Sequence, residues 1–109
     1  EQNIKKVHSH NTNHLLAFKR ADYLVVFNFH PSASFTDYRI PLAGRYKIVF
    51  DTDREVFGGY DRIQRDMTYV SSRKKGEKLN SPLSLSLYLP SRTGIVFRQI
   101  PASPINQSI

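Results

Sequence analysis

The chain has 109 residues, 39% of them hydrophobic, with 16 Lys and Arg against 9 Asp and Glu and no cysteine. Its length suits one domain with one modest core. The composition excludes a disordered chain, a disulfide framework and a thiolate metal site.

The opening EQNIKKVHSHN has neither an initiator Met nor an apolar signal region, so residues 1–13 read as a flexible lead-in within a longer chain. His8, His10 and His14 offer HxH plus a third imidazole, but they lie among Asn and Ser with no acidic or Cys partner. A polar lead-in is the reading, and no metal site is expected.

Strands follow in quick succession. His14 to Arg20 predicts one with Leu16 and Phe18 inward, and Arg20-Ala21-Asp22 turns the chain back. Tyr23, Val25, Phe27 and Phe29 then share a face while Leu24 and Val26 load the other, as in a central strand. His30 is expected to cap backbone groups at the strand end before Pro31. After TDYRI, the residues Pro41 to Gly44 break the chain, and Tyr46, Ile48 and Phe50 share a face opposite Arg45 and Lys47. Gly58-Gly59 reads as a turn with positive φ. The basic run RKKGEK at Arg73 to Lys78 reads as a solvated hairpin loop. Leu83, Leu85, Leu87 and Leu89 face one way and Ser84, Ser86 and Tyr88 the other, between Pro82 and Pro90. Thr93 to Gln99 supplies the last strand, and residues 101–109 form a polar tail.

Short strands at this spacing predict an all-β fold, an antiparallel β-sandwich of seven to eight strands with Greek-key-like connections over residues 14–100. The expected core is Phe18, Val25, Phe27, Phe29, Tyr46, Ile48, Phe50, Leu85, Leu87, Val96 and Phe97.

Chemistry is sparse. Asp51 and Asp53 could pair as carboxylates for glycosidic acid–base work, which needs about 5–9 Å across a cleft. A DxD at a strand end more often accepts backbone hydrogen bonds in a turn, and the stretch has too few oxygen ligands for calcium. There is no nucleophile elbow, no GxGxxG and no Walker loop. No catalytic residue, metal or cofactor is therefore expected. Tyr side chains on a sheet surface can stack on sugar rings; Tyr60 and Tyr69, outside the strongest strands, are the candidates for glycan contact. The net charge of +7 invites a polyanion, but outside Arg73 to Lys78 the basic residues are scattered, so neither nucleic acid nor membrane is an expected partner.

Phe27 to Ile40 (FNFHPSASFTDYRI), Gly44 to Asp53 (GRYKIVFDTD), Phe57 to Ile63 (FGGYDRI) and Ser84 to Phe97 (SLSLYLPSRTGIVF), in this order, resemble the C-terminal all-β domain of 1,4-α-glucan (glycogen) branching enzymes. The similarity covers about His14 to Gln99 and is nearest the branch that includes the eukaryotic enzymes. TDYRI runs directly into Pro41-Leu42-Ala43-Gly44, where the family usually has a Gly and a longer loop. The resemblance implies a parent in which this domain follows a catalytic (β/α)8 barrel, and the absence of cysteine fits a cytoplasmic setting. That parent would move an α-1,4 glucan segment to a 6-hydroxyl by way of a carboxylate nucleophile and a carboxylic acid/base on the barrel. No position here matches those groups. The domain's implied role is support: one sheet face packs on the barrel, and in isolation that face would be an apolar patch or a dimer contact. An autonomous glycan-binding module is the alternative, and a basic nucleic-acid-binding barrel a more distant one.

Overall fold

The computed structural model describes residues 4–10 and 14–101. Eight strands make two antiparallel sheets: β1 (Lys5–His10), β2 (Leu15–Arg20), β3 (Tyr23–Asn28), β4 (Phe35–Ile40), β5 (Arg45–Asp51), β6 (Thr68–Val70), β7 (Leu85–Leu89) and β8 (Thr93–Ile100). The larger sheet runs β1-β2-β3-β8-β5-β6, and β4 pairs with β7 in the smaller. Among the described residues a single 3-10 turn, Glu55–Phe57, lies in the long connection after β5. Among the described residues no helix is long and apolar enough to cross a membrane.

The lead-in expected over residues 1–13 is strand in part. Lys5–His10 pairs along β2 from Lys5↔Lys19 to His10↔Leu15. Its polar sequence suits an edge, where lysines discourage pairing with other chains. His8 also ties the two sheets together: its Nε2 lies 2.7 Å from the Tyr38 hydroxyl. Burial, and secondarily the neighbouring His10, push the His8 pKa down. The tail over 101–109 lies, beyond Pro101, outside the described residues.

The core forms where the two sheets face one another. Ile40, Leu85, Leu87 and Leu89 from the small sheet meet Leu15, Ala17, Leu24, Val26, Tyr46, Ile95 and Phe97 from the large one. The leucine strand is oriented as its alternation requires, and Tyr46, Leu85, Leu87 and Phe97 are buried as expected.

The expected core is wrong on the middle strands. Phe18, Val25, Phe27 and Val96 lie on the outer side of the large sheet and are only half-buried, while Phe29 and Phe50 are exposed. The residues beside them, Ala17, Leu24, Val26 and Ile95, face inward instead. Both faces of β3 are apolar, so alternation fixes which residues share a face without fixing which face is the core. Phe50 departs from Tyr46 for a separate reason. The register with β8 slips between Ile48↔Phe97 and Phe50↔Val96. That bulge at Val49 turns Phe50 outward and drives Asp51 into the interior.

Candidate functional site

β5 ends in two aspartates, and the bulge in that strand makes their burial possible. Asp51 is 0% and Asp53 1% exposed. A buried carboxylate needs a full set of donors and a counter-charge, and both have them. Asp51 Oδ1 accepts the Asp53 N–H at 3.0 Å, and Arg65 grips both oxygens through Nε at 2.6 Å and Nη2 at 2.9 Å. Asp53 accepts the Arg62 N–H at 2.6 Å, the Tyr60 N–H at 3.2 Å and the Arg62 Nη2 at 2.7 Å. Arg62 continues to the Ser91 carbonyl at 3.2 Å, and Arg65 to Asp61 at 2.6 Å. The irregular segment between β5 and β6 is thus fastened to the sandwich at two points.

This arrangement decides the acid–base question. Burial alone would raise the Asp53 carboxyl, but hydrogen bonds from the Arg62 side chain and from the Arg62 and Tyr60 backbones, with the Arg62 charge, hold it below the usual range. Arg65 is raised in turn, first by its hydrogen bond to Asp51. Carboxylates buried and closed in by guanidinium groups have no open side toward a sugar. Asp51 and Asp53 accept backbone N–H groups, as the turn reading expected, and each is also paired with an arginine.

The other sequence candidates scatter. His8 is engaged with Tyr38, and the His14 ring lies against His30, centroids 5.5 Å apart. No three metal-ligating side chains converge among the described residues. His30 caps as expected: its Nδ1 faces the backbone N–H groups of Ser32 at 3.2 Å and Ala33 at 2.9 Å. The Arg73 to Lys78 segment is an exposed loop with Gly76 at positive φ.

Of the two tyrosines, Tyr60 stands out at 68% exposure. The Arg62 guanidinium lies 5.0 Å from its ring centroid. Tyr69 is half-buried; its hydroxyl donates to the Gln64 carbonyl at 2.6 Å and its ring meets Phe97 edge-on. Tyr88, which sequence reading did not single out, is an outward-facing residue of β7 and is exposed. Its position opposite Leu87 and Leu89 in the alternation was the available signal.

One more surface is prominent. Directly paired residues carry an apolar row across four strands of the large sheet: Phe18↔Val25, Val25↔Val96 and Val96↔Phe50. Phe27 and Phe29 stack beside it at 5.1 Å, and Phe57 leans on Phe50 at 5.5 Å. Arg20, Tyr23, Arg98 and Lys47 close one end as a charged row.

The family described as "Alpha amylase, C-terminal all-beta domain" matches residues 6–99. The chain belongs to this family. Within this alpha-amylase C-terminal family its relatives include proteins named 1,4-alpha-glucan-branching enzyme. The one from Felis catus is 39% identical over 84% of this chain and 13% of its own. That from Rhizophagus irregularis is 42% identical over 80% and 13%, and that from Candida glabrata 45% identical over 80% and 12%. The chain thus spans about one-eighth of the length of these relatives.

The buried Asp53–Arg62 pair makes this alpha-amylase C-terminal domain acid-sensitive. An unfolded Asp titrates near 3.9, whereas Asp53 in the fold is held lower. Its contribution is therefore complete above about pH 5 and is lost as pH falls through the folded value. Urea midpoints taken downward from pH 5 should fall in that range, and the Asp53→Asn variant should show a shallower fall. Equal pH slopes for the two proteins would refute the assignment.

Proposed function

We propose that the chain is the C-terminal, non-catalytic domain of a 1,4-α-glucan branching enzyme, and that the outer face of its six-stranded sheet docks on the catalytic domain of the same polypeptide. The family assignment and the printed names of the relatives support the parentage. The apolar row through Phe18, Val25, Val96 and Phe50 supports the docking. A chain of this size that leaves Phe29, Phe50 and Phe57 in water on one side carries the kind of contiguous patch that marks an interface. The buried, Arg-paired state of Asp51 and Asp53 supports a domain that leaves the reaction to its neighbour. In isolation the same face would meet a second copy of itself.

The parent polypeptide supplies the test. Val25→Asp with Val96→Asp, in the centre of the row, should lower both its melting temperature and its branching of amylose, followed by loss of iodine staining. Thr36→Asp, on the exposed side of the small sheet, should change neither. No branching activity in the unmodified parent would remove the parentage; equal behaviour of the two variants would remove the docking face.

A further inference from the structure

The basic loop between β6 and β7 lies outside the residues of the docking face and the buried pairs, and it carries a serine unlike its neighbours. The loop is closed at its base by the Ser72↔Ser84 bridge, in which the Ser72 N–H donates to the Ser84 carbonyl at 2.8 Å and the Ser84 N–H to the Ser72 carbonyl at 2.9 Å. Above that base are two tight turns: the Glu77 N–H reaches the Lys74 carbonyl and the Ser81 N–H the Lys78 carbonyl, each at 3.0 Å. Residues 73–80 are all exposed, and Leu79 at 87% shows how far the loop stands off the core.

The hydroxyls of the serines flanking this loop are engaged. Ser71 Oγ accepts the Gly44 N–H at 2.8 Å. Ser72 Oγ and Ser84 Oγ accept Arg39 Nη1 at 3.2 and 3.1 Å, and Ser86 Oγ donates to Asp37. The Ser81 hydroxyl, by contrast, has no partner among the described residues. Arg73 reaches across the loop to this residue, its Nε donating to the Ser81 carbonyl at 2.9 Å. That bond holds a guanidinium beside Ser81 while its Nη donors stay unused among the described residues. Lys74, Lys75 and Lys78 surround it with further positive charge, against Glu77 alone.

We propose that Ser81 is a phosphorylation site and that the Arg73 guanidinium is the group that receives its phosphate. Ser81 precedes Pro82, and a residue before proline is biased to extended backbone, the form in which a peptide lies along a kinase cleft. The modifying enzyme is accordingly a Ser/Thr kinase that accepts proline after the target residue. The γ-phosphoryl group passes from a nucleoside triphosphate to Ser81 Oγ. The new Oγ–P bond replaces the bond to the nucleoside diphosphate, which leaves, and the hydroxyl proton goes to a base of the kinase. The Arg73 bond to Ser81 is exposed, so the segment opens at little cost. When it closes again, the phosphate brings nearly two negative charges and three acceptor oxygens to a guanidinium whose fork suits them. The modification therefore ties the loop across its own width and removes most of its positive charge.

Ser103-Pro104 is the other Ser-Pro of the sequence, so the Ser103→Ala form of the 109-residue chain is the substrate for the test. With Mg-ATP and a proline-directed kinase it should take up one phosphate, mapped to Ser81 by mass spectrometry, and none once Ser81→Ala is added. Both proteins should keep the melting curve of the unmodified chain. A ³¹P NMR titration of the product then reads the contact with Arg73. The second phosphate pKa, about 6 without a partner, should lie about 0.5 or more lower, because a cation at hydrogen-bond distance favours the dianion. Arg73→Ala, made in the exposed loop, should return it to the ordinary value. No phosphate, or phosphate at another residue, would overturn the site. A phosphate pKa that does not respond to Arg73→Ala would overturn the role of Arg73.

Discussion

Replacing Arg62 by Ala is expected to cost about 3–5 kcal/mol, because it leaves the Asp53 carboxylate buried without its counter-charge. A domain of this size has about 5–15 kcal/mol in total, so the variant should sit near or beyond the edge of folding. The arithmetic rests on the asymmetry of buried ion pairs. Forming the Asp53–Arg62 pair gains little over an apolar pair of the same shape, whereas removing one partner leaves the desolvation of the other uncompensated. Backbone donors from Tyr60 and Arg62 soften the loss but cannot neutralise the charge. The deficit should therefore depend on pH. It should be widest above about pH 5 and narrow as Asp53 protonates, since the wild type loses the same pair in acid. Urea unfolding at pH 7 and pH 3 reads both quantities. A cost under about 1 kcal/mol, the range of an exposed pair, or an equal cost at the two pH values, would show that the pair does not fasten the segment after β5.

That segment explains where sequence reading succeeds and where it stops. The leucine strand is legible because Leu85, Leu87 and Leu89 alternate with Ser86 and Tyr88, leaving a single face that can be buried. The fold class follows from several such strands separated by Pro and Gly. The inner face of β2, β3 and β8 is not legible in the same way. Phe18, Val25 and Phe27 outweigh Ala17, Leu24 and Val26 in size, and an interior-versus-solvent rule places the larger set inside. The structure does the reverse, and the docking proposal gives the physical reason: a face that meets another domain has a core's composition without being the core of this chain. The error is thus informative about function.

The surface was partly legible. Tyr60 was legible as a surface residue because a tyrosine beside Gly58-Gly59 lies outside the alternating strands, and it is exposed as that position suggests. Tyr69 has the same kind of sequence context, yet β6 pairs it with Tyr46 and brings its ring against Phe97. The partners of Asp51 and Asp53 were not legible at all. Nothing in the order Asp51, Asp53, Arg62, Arg65 says that the chain doubles back so that the inner pair and the outer pair each meet. That geometry depends on the bulge at Val49, which a period-two reading carries straight through.

Gly59→Ala should be as damaging as the loss of Arg62, and for a different reason than adjacent Gly58 would suggest. Sequence reading treats Gly58-Gly59 as a pair suited to positive φ. Only Gly58 uses that freedom, at φ +83°, as the cap of the 3-10 turn, and a Cβ there would meet nothing within 4 Å. Gly58→Asn should therefore cost under about 1 kcal/mol, since Asn visits the left-handed region readily. At Gly59 a Cβ would stand 2.3 Å from the carbonyl carbon and oxygen of Asp53. Those are backbone atoms, and they cannot rotate away. Making room moves Asp53 itself, which breaks the Asp61 N–H bond to its carbonyl and pulls its carboxylate off Arg62 and the Tyr60 N–H. The loss should reach about 3 kcal/mol or more, the range in which a named structural fault is required. Denaturant midpoints for Gly58→Asn and Gly59→Ala separate the two glycines. If Gly59→Ala unfolds no earlier than Gly58→Asn, the close approach to Asp53 is not what holds this turn.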